Sequence, residues 1–349
     1  MLKSPIIVIT SFFSILIDFL YRLRRFFFEI GLFKSSQFLT PVISIGNLEM
    51  GGTGKTPFVI WLINFLEDME LAGSVLTRGY KRKRKSRPVI LDPVDLSGIT
   101  AFESGDEPLL VANSIKRSKI IVGANRVDSY YSNSVIRKDD FIVLDDGFQH
   151  LKIQRNLDIV LINSQTSWQD FCCIPKGRLR EGISAISKAD IVLFTKVDER
   201  PNENELKLKE MVSSEISKDV TFGRIRFSSG FLIDLHSGER VETSFLQNRK
   251  VSTFCGISRP DIFERELESK GAVLENCHRF SNHHNFKSGD YRILNNLGKE
   301  MPLICTQKDA VKINKDLIKK TVYVLVNGVE FLEGESKIKN KIISTINND

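Results

Sequence analysis

Gly51-Gly52-Thr53-Gly54-Lys55-Thr56 stands shortly behind the apolar run Val42-Ile43-Ser44-Ile45. No other stretch limits the fold so tightly. A buried strand that enters a glycine-rich turn ending in Gly-Lys-Thr, with a helix behind it, builds a phosphate cradle. Glycines let backbone N–H groups close around an anion. Lys55 is placed for the terminal phosphates of a nucleotide, and Thr56 offers its hydroxyl to Mg²⁺. A helix predicted from Thr56 to Met69 aims its positive N-terminal end at the same anion. The strict G-x-x-x-x-G-K-[ST] spacing fails, because Glu49 occupies the first glycine position. The doubled-glycine variant G-G-x-G-K-T fits. A bound nucleoside triphosphate is expected, held by Gly51, Gly52, Thr53, Gly54, Lys55 and Thr56.

Further apolar runs occur at Ser74–Leu76, Ile120–Val122, Phe141–Leu144, Ile159–Ile162 and Ile191–Phe194. Near-continuous hydrophobics of this length suit strands covered on both faces, and helical stretches separate several of them. The rhythm predicts a P-loop NTPase-like, three-layer α/β domain. Near Thr221 the pattern changes. Phe222 to Phe227 alternates with period two, Phe231 to Leu235 follows, and a turn-like His236-Ser237-Gly238-Glu239 comes next. This reads as a two-stranded β-ribbon leading to a smaller second α/β domain with strands at Val251–Phe254, Leu303–Thr306 and Val322–Val326. The expected organisation is residues 1–30 as an N-terminal helix, 31–225 as the nucleotide domain, 226–250 as the ribbon and 251–349 as the second domain. Two lobes on a ribbon suggest a cleft that opens and closes.

Five cysteines, odd in number and without C-x-x-C spacing, argue against a disulfide framework or a zinc site. They fit a reducing compartment. The net charge of +7 admits nucleic acid or an anionic membrane surface. The densest basic run is Lys81-Arg82-Lys83-Arg84-Lys85, but no nucleic-acid module accompanies it, so no nucleic-acid partner is expected. The N-terminus favours the membrane. Pro5 to Leu20 is almost wholly apolar, and Tyr21-Arg22-Leu23-Arg24-Arg25-Phe26-Phe27-Phe28 follows. The run is shorter than the roughly 20 residues of a spanning helix and lacks a cleavage site. An interfacial helix is predicted, with Arg22, Arg24 and Arg25 at anionic headgroups.

Phe141-Ile142-Val143-Leu144 ends in Asp145-Asp146. A carboxylate at a strand end beside a phosphate loop can hold Mg²⁺. Neighbouring residues on an extended chain face opposite ways, so one aspartate is expected at the metal and the other in a loop. Gly105-Asp106-Glu107-Pro108 opens a loop or a helix, because proline disfavours a helical Glu107. Its acids can cap the helix, stand behind the metal, or act as the base for an attacking hydroxyl. Arg126 lies just past a strand end, where α/β sheets place ligands. Arg180, in Pro175 to Glu181, is a second candidate for the phosphoryl group. His283-His284 are poor joint metal ligands without further partners. Thr195-Lys196-Val197-Asp198 weakly matches the [NT]-K-x-D base-reading loop of guanine-nucleotide proteins.

Together these motifs resemble the tetraacyldisaccharide 4'-kinases, the lipid A kinases of Gram-negative bacteria. The resemblance rests on Gly46-Asn47-Leu48 with Gly51 to Pro57, Thr77-Arg78-Gly79-Tyr80, Gly105 to Pro108, Asp145-Asp146-Gly147-Phe148-Gln149-His150, Leu179-Arg180-Glu181, and Thr306-Gln307-Lys308-Asp309-Ala310-Val311-Lys312. It implies ATP- and Mg²⁺-dependent phosphorylation of the 4'-hydroxyl of a tetraacylated glucosamine disaccharide 1-phosphate, giving the bis-phosphorylated lipid A precursor. The place implied is the cytoplasmic face of the bacterial inner membrane, with an acylated lipid as partner and no obligate protein partner. Asp106 would be the general base with His283 as its partner. Lys55 and Arg180 would serve catalysis, Arg126 would contact phosphate, and Thr56, Glu107, Asp145 and Asp146 would form the metal site. The family's F-P-D-H-H-x-F reads Phe280-Ser281-Asn282-His283-His284-Asn285-Phe286 here, which leaves the pairing histidine to be settled between His283 and His284.

The competing class is a partitioning or metal-insertion NTPase, which also uses G-G-x-G-K-T. Those proteins usually carry lysine directly before the glycine pair, where this chain has Met50.

Overall fold

A computed structural model describes residues 5–79, 82, 87–132, 139–298 and 301–347. Tyr80 and the basic run 81–85, except Arg82, lie outside the described residues. The strands in chain order are β1 (Val42–Asn47), β2 (Gly73–Thr77), β3 (Val89–Leu91), β4 (Lys119–Val122), β5 (Phe141–Asp145), β6 (Leu157–Asn163), β7 (Ile191–Thr195), β8 (Thr221–Asp234), β9 (Arg240–Glu242), β10 (Lys250–Cys255), β11 (Val273–Arg279), β12 (Leu303–Thr306) and β13 (Val322–Glu333). The chain divides into two units. The first comprises Met1–Arg78, Lys116–Phe227 and Val329–Asp349, and the second Gly79–Ile115 and Ser228–Gly328.

In the first unit the strands run parallel in the order β8-β7-β6-β1-β5-β2-β4. β1, β2 and β7 are buried along their whole length, as their unbroken hydrophobic runs require. β1 sits centrally, so its C-terminal end delivers the glycine-rich turn to the middle of the sheet. The helix Lys55–Glu67 follows at once and buries Phe58, Val59, Leu62, Ile63 and Leu66. The last part of the chain also belongs here: Ile338 and Ile342 are fully buried, and Ile338 packs beside Gly223 of β8.

The second unit carries β11-β10-β12-β13 in parallel, with β8 next to β13 and β9 antiparallel to β8. Its cores gather Leu246, Val251, Phe263, Leu267 and Ile304 on one side, and Phe254, Leu294, Leu303 and Val322 on the other.

The structure differs from the sequence expectation at two places. The runs 222–227 and 231–235 are one continuous strand, β8, and the two-stranded ribbon is its end paired antiparallel with β9. Ser228-Ser229-Gly230 interrupts the hydrophobicity without turning the chain, and the reversal comes at Asp234–Gly238, where the Asp234 carboxylate accepts the His236 and Ser237 N–H groups. Second, Gly79–Ile115 was expected within a contiguous 31–225 domain but groups with the second unit. Its packing partners are distant in sequence, as the site shows.

The N-terminal helix is Pro5–Glu29, in the first unit. No described helix is long and apolar enough to cross a membrane. One side is docked: the Ser14 hydroxyl donates to the Cys173 carbonyl at 2.7 Å, and Ile17 packs on the core. Another side leaves Phe12, Ile15 and Phe19 exposed. Arg25 was expected at headgroups but faces inward. Its Nε and an NH2 group grip the Glu181 carboxylate at 2.7 and 3.0 Å, and its guanidinium lies over the Phe148 ring. Arg24 donates to the Gln149 carbonyl, while Arg22 pairs with Asp18 and stays exposed. A buried carboxylate such as Glu181 demands a cation, and Arg25 supplies it.

Candidate active site

The phosphate loop has the backbone its glycines imply. Gly51 and Gly54 adopt φ of 129° and 88°. At Gly54 a Cβ would stand 2.1 Å from the Phe227 ring, so glycine is required both for the turn and for the contact. The loop is braced from several sides. Glu49, buried, accepts the Asn163 N–H, which gives this departure from the strict motif a structural reason. The Thr195 hydroxyl donates to the Thr53 carbonyl at 2.9 Å, and the Lys196 ammonium to the Gly52 carbonyl at 2.7 Å. The weak base-reading motif is therefore spent on the loop itself. Inside the loop the Thr53 hydroxyl is buried without a hydrogen-bond partner among the described residues.

Lys55 lies at the start of its helix, and its ammonium is 3.1 Å from Asn47 Oδ1 and 3.3 Å from Asp146 Oδ1. Asn47 closes β1 and supports the lysine. Asp145 ends β5, and Asp146, just beyond the strand, takes φ 51°, so the two side chains have different partners. Asp145 accepts the Thr77 hydroxyl at 2.9 Å. Asp146 receives Arg180 at 2.9 and 3.1 Å besides Lys55. Burial alone would raise the Asp146 carboxyl, but Lys55 and Arg180 outweigh it and hold it below the usual carboxylate range. Arg180 keeps its Nε buried and without a partner among the described residues. Arg126 was read as a phosphate contact. It is buried, and its NH1 and NH2 groups donate to the Asp145 and Asp146 carbonyls, the shortest at 2.6 Å. Burial pulls its pKa below the ordinary arginine value. Its contacts fix the acidic corner.

In the second unit Gly105, at φ 94°, opens the helix Asp106–Asn113. Asp106 stands in its first turn, and its Oδ2 lies 2.9 Å from His283 Nδ1. The pairing histidine is thus His283. His284 turns away to Asp290, at 2.9 Å, and stacks on Phe280. Glu107, expected at the metal, is held by Lys308 at 2.9 Å.

Among the described residues no three His, Cys, Asp or Glu side chains cluster as a metal cage. The donors Thr56, Asp145 and Asp146 nevertheless suit Mg²⁺, which takes one or two protein oxygens and completes its shell with phosphates and water. The sequence singled out Thr195, Lys196 and Arg126 for other work, yet they hold loop and strand-end carbonyls, and Gln149 donates to both the Asn47 carbonyl and the Glu181 carboxylate.

A glycine-rich phosphate loop at the centre of a parallel α/β sheet, with an acidic strand end beside it, is the arrangement of a P-loop protein. A family model described as tetraacyldisaccharide-1-P 4'-kinase matches residues 7–347. The chain belongs to that family. It is similar to the tetraacyldisaccharide 4'-kinase of Syntrophus aciditrophicus, 31% identical over 89% of this chain and 85% of the relative. The Desulfotalea psychrophila protein of the same name is 32% identical, covering 84% of each chain. Among solved structures it is similar to the Aquifex aeolicus LpxK crystallised in complex with ATP, at TM-score 0.79 and 26% identity over 96% of this chain and 97% of that one.

Proposed function

We propose that this chain transfers the γ-phosphoryl group of ATP to the 4'-hydroxyl of a tetraacylated glucosamine disaccharide 1-phosphate. The Asp106–His283 pair carries this reading beyond the family match. A switch NTPase needs a positioned water, whereas an alcohol acceptor needs a group to take its proton. With its proton on Nδ1, His283 donates to Asp106 Oδ2 and leaves Oδ1 for the acceptor hydroxyl. The acceptor oxygen bonds to the γ-phosphorus, the bond from that phosphorus to the β-phosphate oxygen breaks, and the hydroxyl proton passes to Asp106.

The first unit supplies the phosphate chemistry. Gly51, Gly52, Thr53 and Gly54 offer backbone N–H groups, and Lys55 and Arg180 neutralise charge on the transferring group. Thr56 with Asp145 or Asp146 would hold Mg²⁺, which when bound offsets phosphate charge. Arg126 orients that acidic corner.

The exposed Phe12, Ile15 and Phe19 support a seat for the helix Pro5–Glu29 in the membrane interface. This suits a lipid acceptor at the cytoplasmic face of an inner membrane. The test is to incubate the protein with γ-labelled ATP and the lipid acceptor in mixed micelles. Label on the lipid is expected. ATP hydrolysis without transfer, or a clear preference for GTP, would overturn the reading.

A further inference from the structure

The segment Thr306-Gln307-Lys308-Asp309-Ala310-Val311-Lys312 has no part in the chemistry above, yet it contacts residues that support each half of the dyad. Lys308 and Asp309 are neighbours on the short helix Gln307–Ala310. Successive helical residues diverge by about 100°, so the two side chains leave in different directions. Lys308 reaches Glu107, the residue next to Asp106, at 2.9 Å. Asp309 is fully buried, and its Oδ2 accepts the Gly256 N–H at 3.0 Å and the Thr306 hydroxyl at 2.7 Å. Lys312 neutralises its other oxygen at 3.0 Å. The carbonyl of Gly256 in turn accepts the His283 N–H at 2.9 Å.

His283 needs that support. Its backbone is left-handed, with φ 59°, a conformation that non-glycine residues keep only when their surroundings impose it. Gly256 is closely fitted as well. A Cβ there would stand 3.1 Å from Asp309 Oδ1 and the Ser281 carbonyl, and 3.2 Å from His284 Cβ. One rigid turn thus fixes the carboxylate side through Lys308–Glu107 and the imidazole side through Asp309–Gly256.

We propose that Lys308 and Asp309 are the positioning residues of the Asp106–His283 dyad, one for each half. The inference rests on the kinase reading, in which that dyad takes the acceptor proton. A misplaced base forfeits rate while nucleotide binding continues, because the ATP-binding groups belong to the first unit.

The test is steady-state transfer to the lipid acceptor by the full chain. Lys308 is exposed enough for Lys308→Met to fold, which circular dichroism verifies. Its kcat is expected to fall about tenfold with KM for ATP unchanged, and Lys308→Arg to recover most of the loss. In an Asp106→Asn background the same Lys308→Met change should alter the residual rate less than about twofold, since no base is left to position. Gly256→Ala should lower kcat in the native background and do little in His283→Ala. Losses that multiply cleanly in those backgrounds, or Lys308→Met with native kcat, would overturn the inference while leaving the kinase reading standing. Absence of transfer by the native protein would instead remove the reading itself.

Discussion

At the scale of single residues, the sequence points to side chains and says little about the backbone groups they hold. Lys55, Asp106 and Asp146 stand out because their motifs need those atoms. Arg126 looked like a phosphate ligand because strand ends usually face ligands, yet its donors are spent on carbonyls. Asp106 and His283 share one hydrogen bond, so they should fail together. Asp106→Asn and His283→Ala should each lower kcat strongly, and the double variant should lose far less than the product of the two. Clean multiplication of the two losses would show that they act apart. His150 offers a separate test, of stability. Burial, and then Arg126, Lys152, Arg155 and Arg24, push its pKa from 6.5 to about 4. Between those values the unfolded chain binds the proton and the folded one refuses it. Stability is therefore fully present above pH 6.5 and is lost as pH falls toward 4. His150→Asn, followed by denaturant unfolding across that range, should decline less steeply than the native protein. An unchanged slope would mean that other groups set the acid limit.

At the scale of elements, legibility tracked burial. β1, β5, β6 and β7 were readable as hydrophobic runs because both faces are covered. β11 was not: it is an edge strand whose residues, Val273 to Arg279, are mostly exposed and show no apolar period. The ribbon pairs β8 with β9 around the turn that the sequence marks, but alternation cannot tell that 222–227 and 231–235 are one long strand. The N-terminal helix was half legible. Its apolar content was plain, but which arginine turns inward depends on Glu181, far away in sequence. Arg25→Ala should destabilise the protein by about 3–5 kcal/mol, because it strands a buried carboxylate. Thermal unfolding measures this, and a native melting temperature would refute it. The opposite face should matter for lipid instead. Phe12→Ser, Ile15→Ser and Phe19→Ser combined should leave the melting temperature nearly unchanged and cut flotation with anionic liposomes, each phenylalanine forfeiting about 1.5–3 kcal/mol of apolar transfer. Undiminished flotation would place the lipid contact elsewhere.

At the scale of the whole molecule, the chain passes between its two units at residues 78/79, 115/116, 227/228 and 328/329. The basic run at 81–85 follows the first passage without saying which unit it enters, and no motif marks the second, so Gly79–Ile115 reads as part of the first unit. Its allegiance is set by pairs such as Asp106 with His283, which lie 177 positions apart. This interleaving has a consequence for birth on the ribosome. Multidomain chains commonly fold N-terminal domain first as they emerge. Here neither unit can be finished that way. The first lacks Ile338 and Ile342, fully buried, until those residues have emerged, and Asp106 waits for His283. Nascent chains stalled at residue 320 should be digested readily by protease, and resistance should arise only once Ile338 and Ile342 have emerged. Early resistance would mean that the first unit closes without the segment Val329–Asp349.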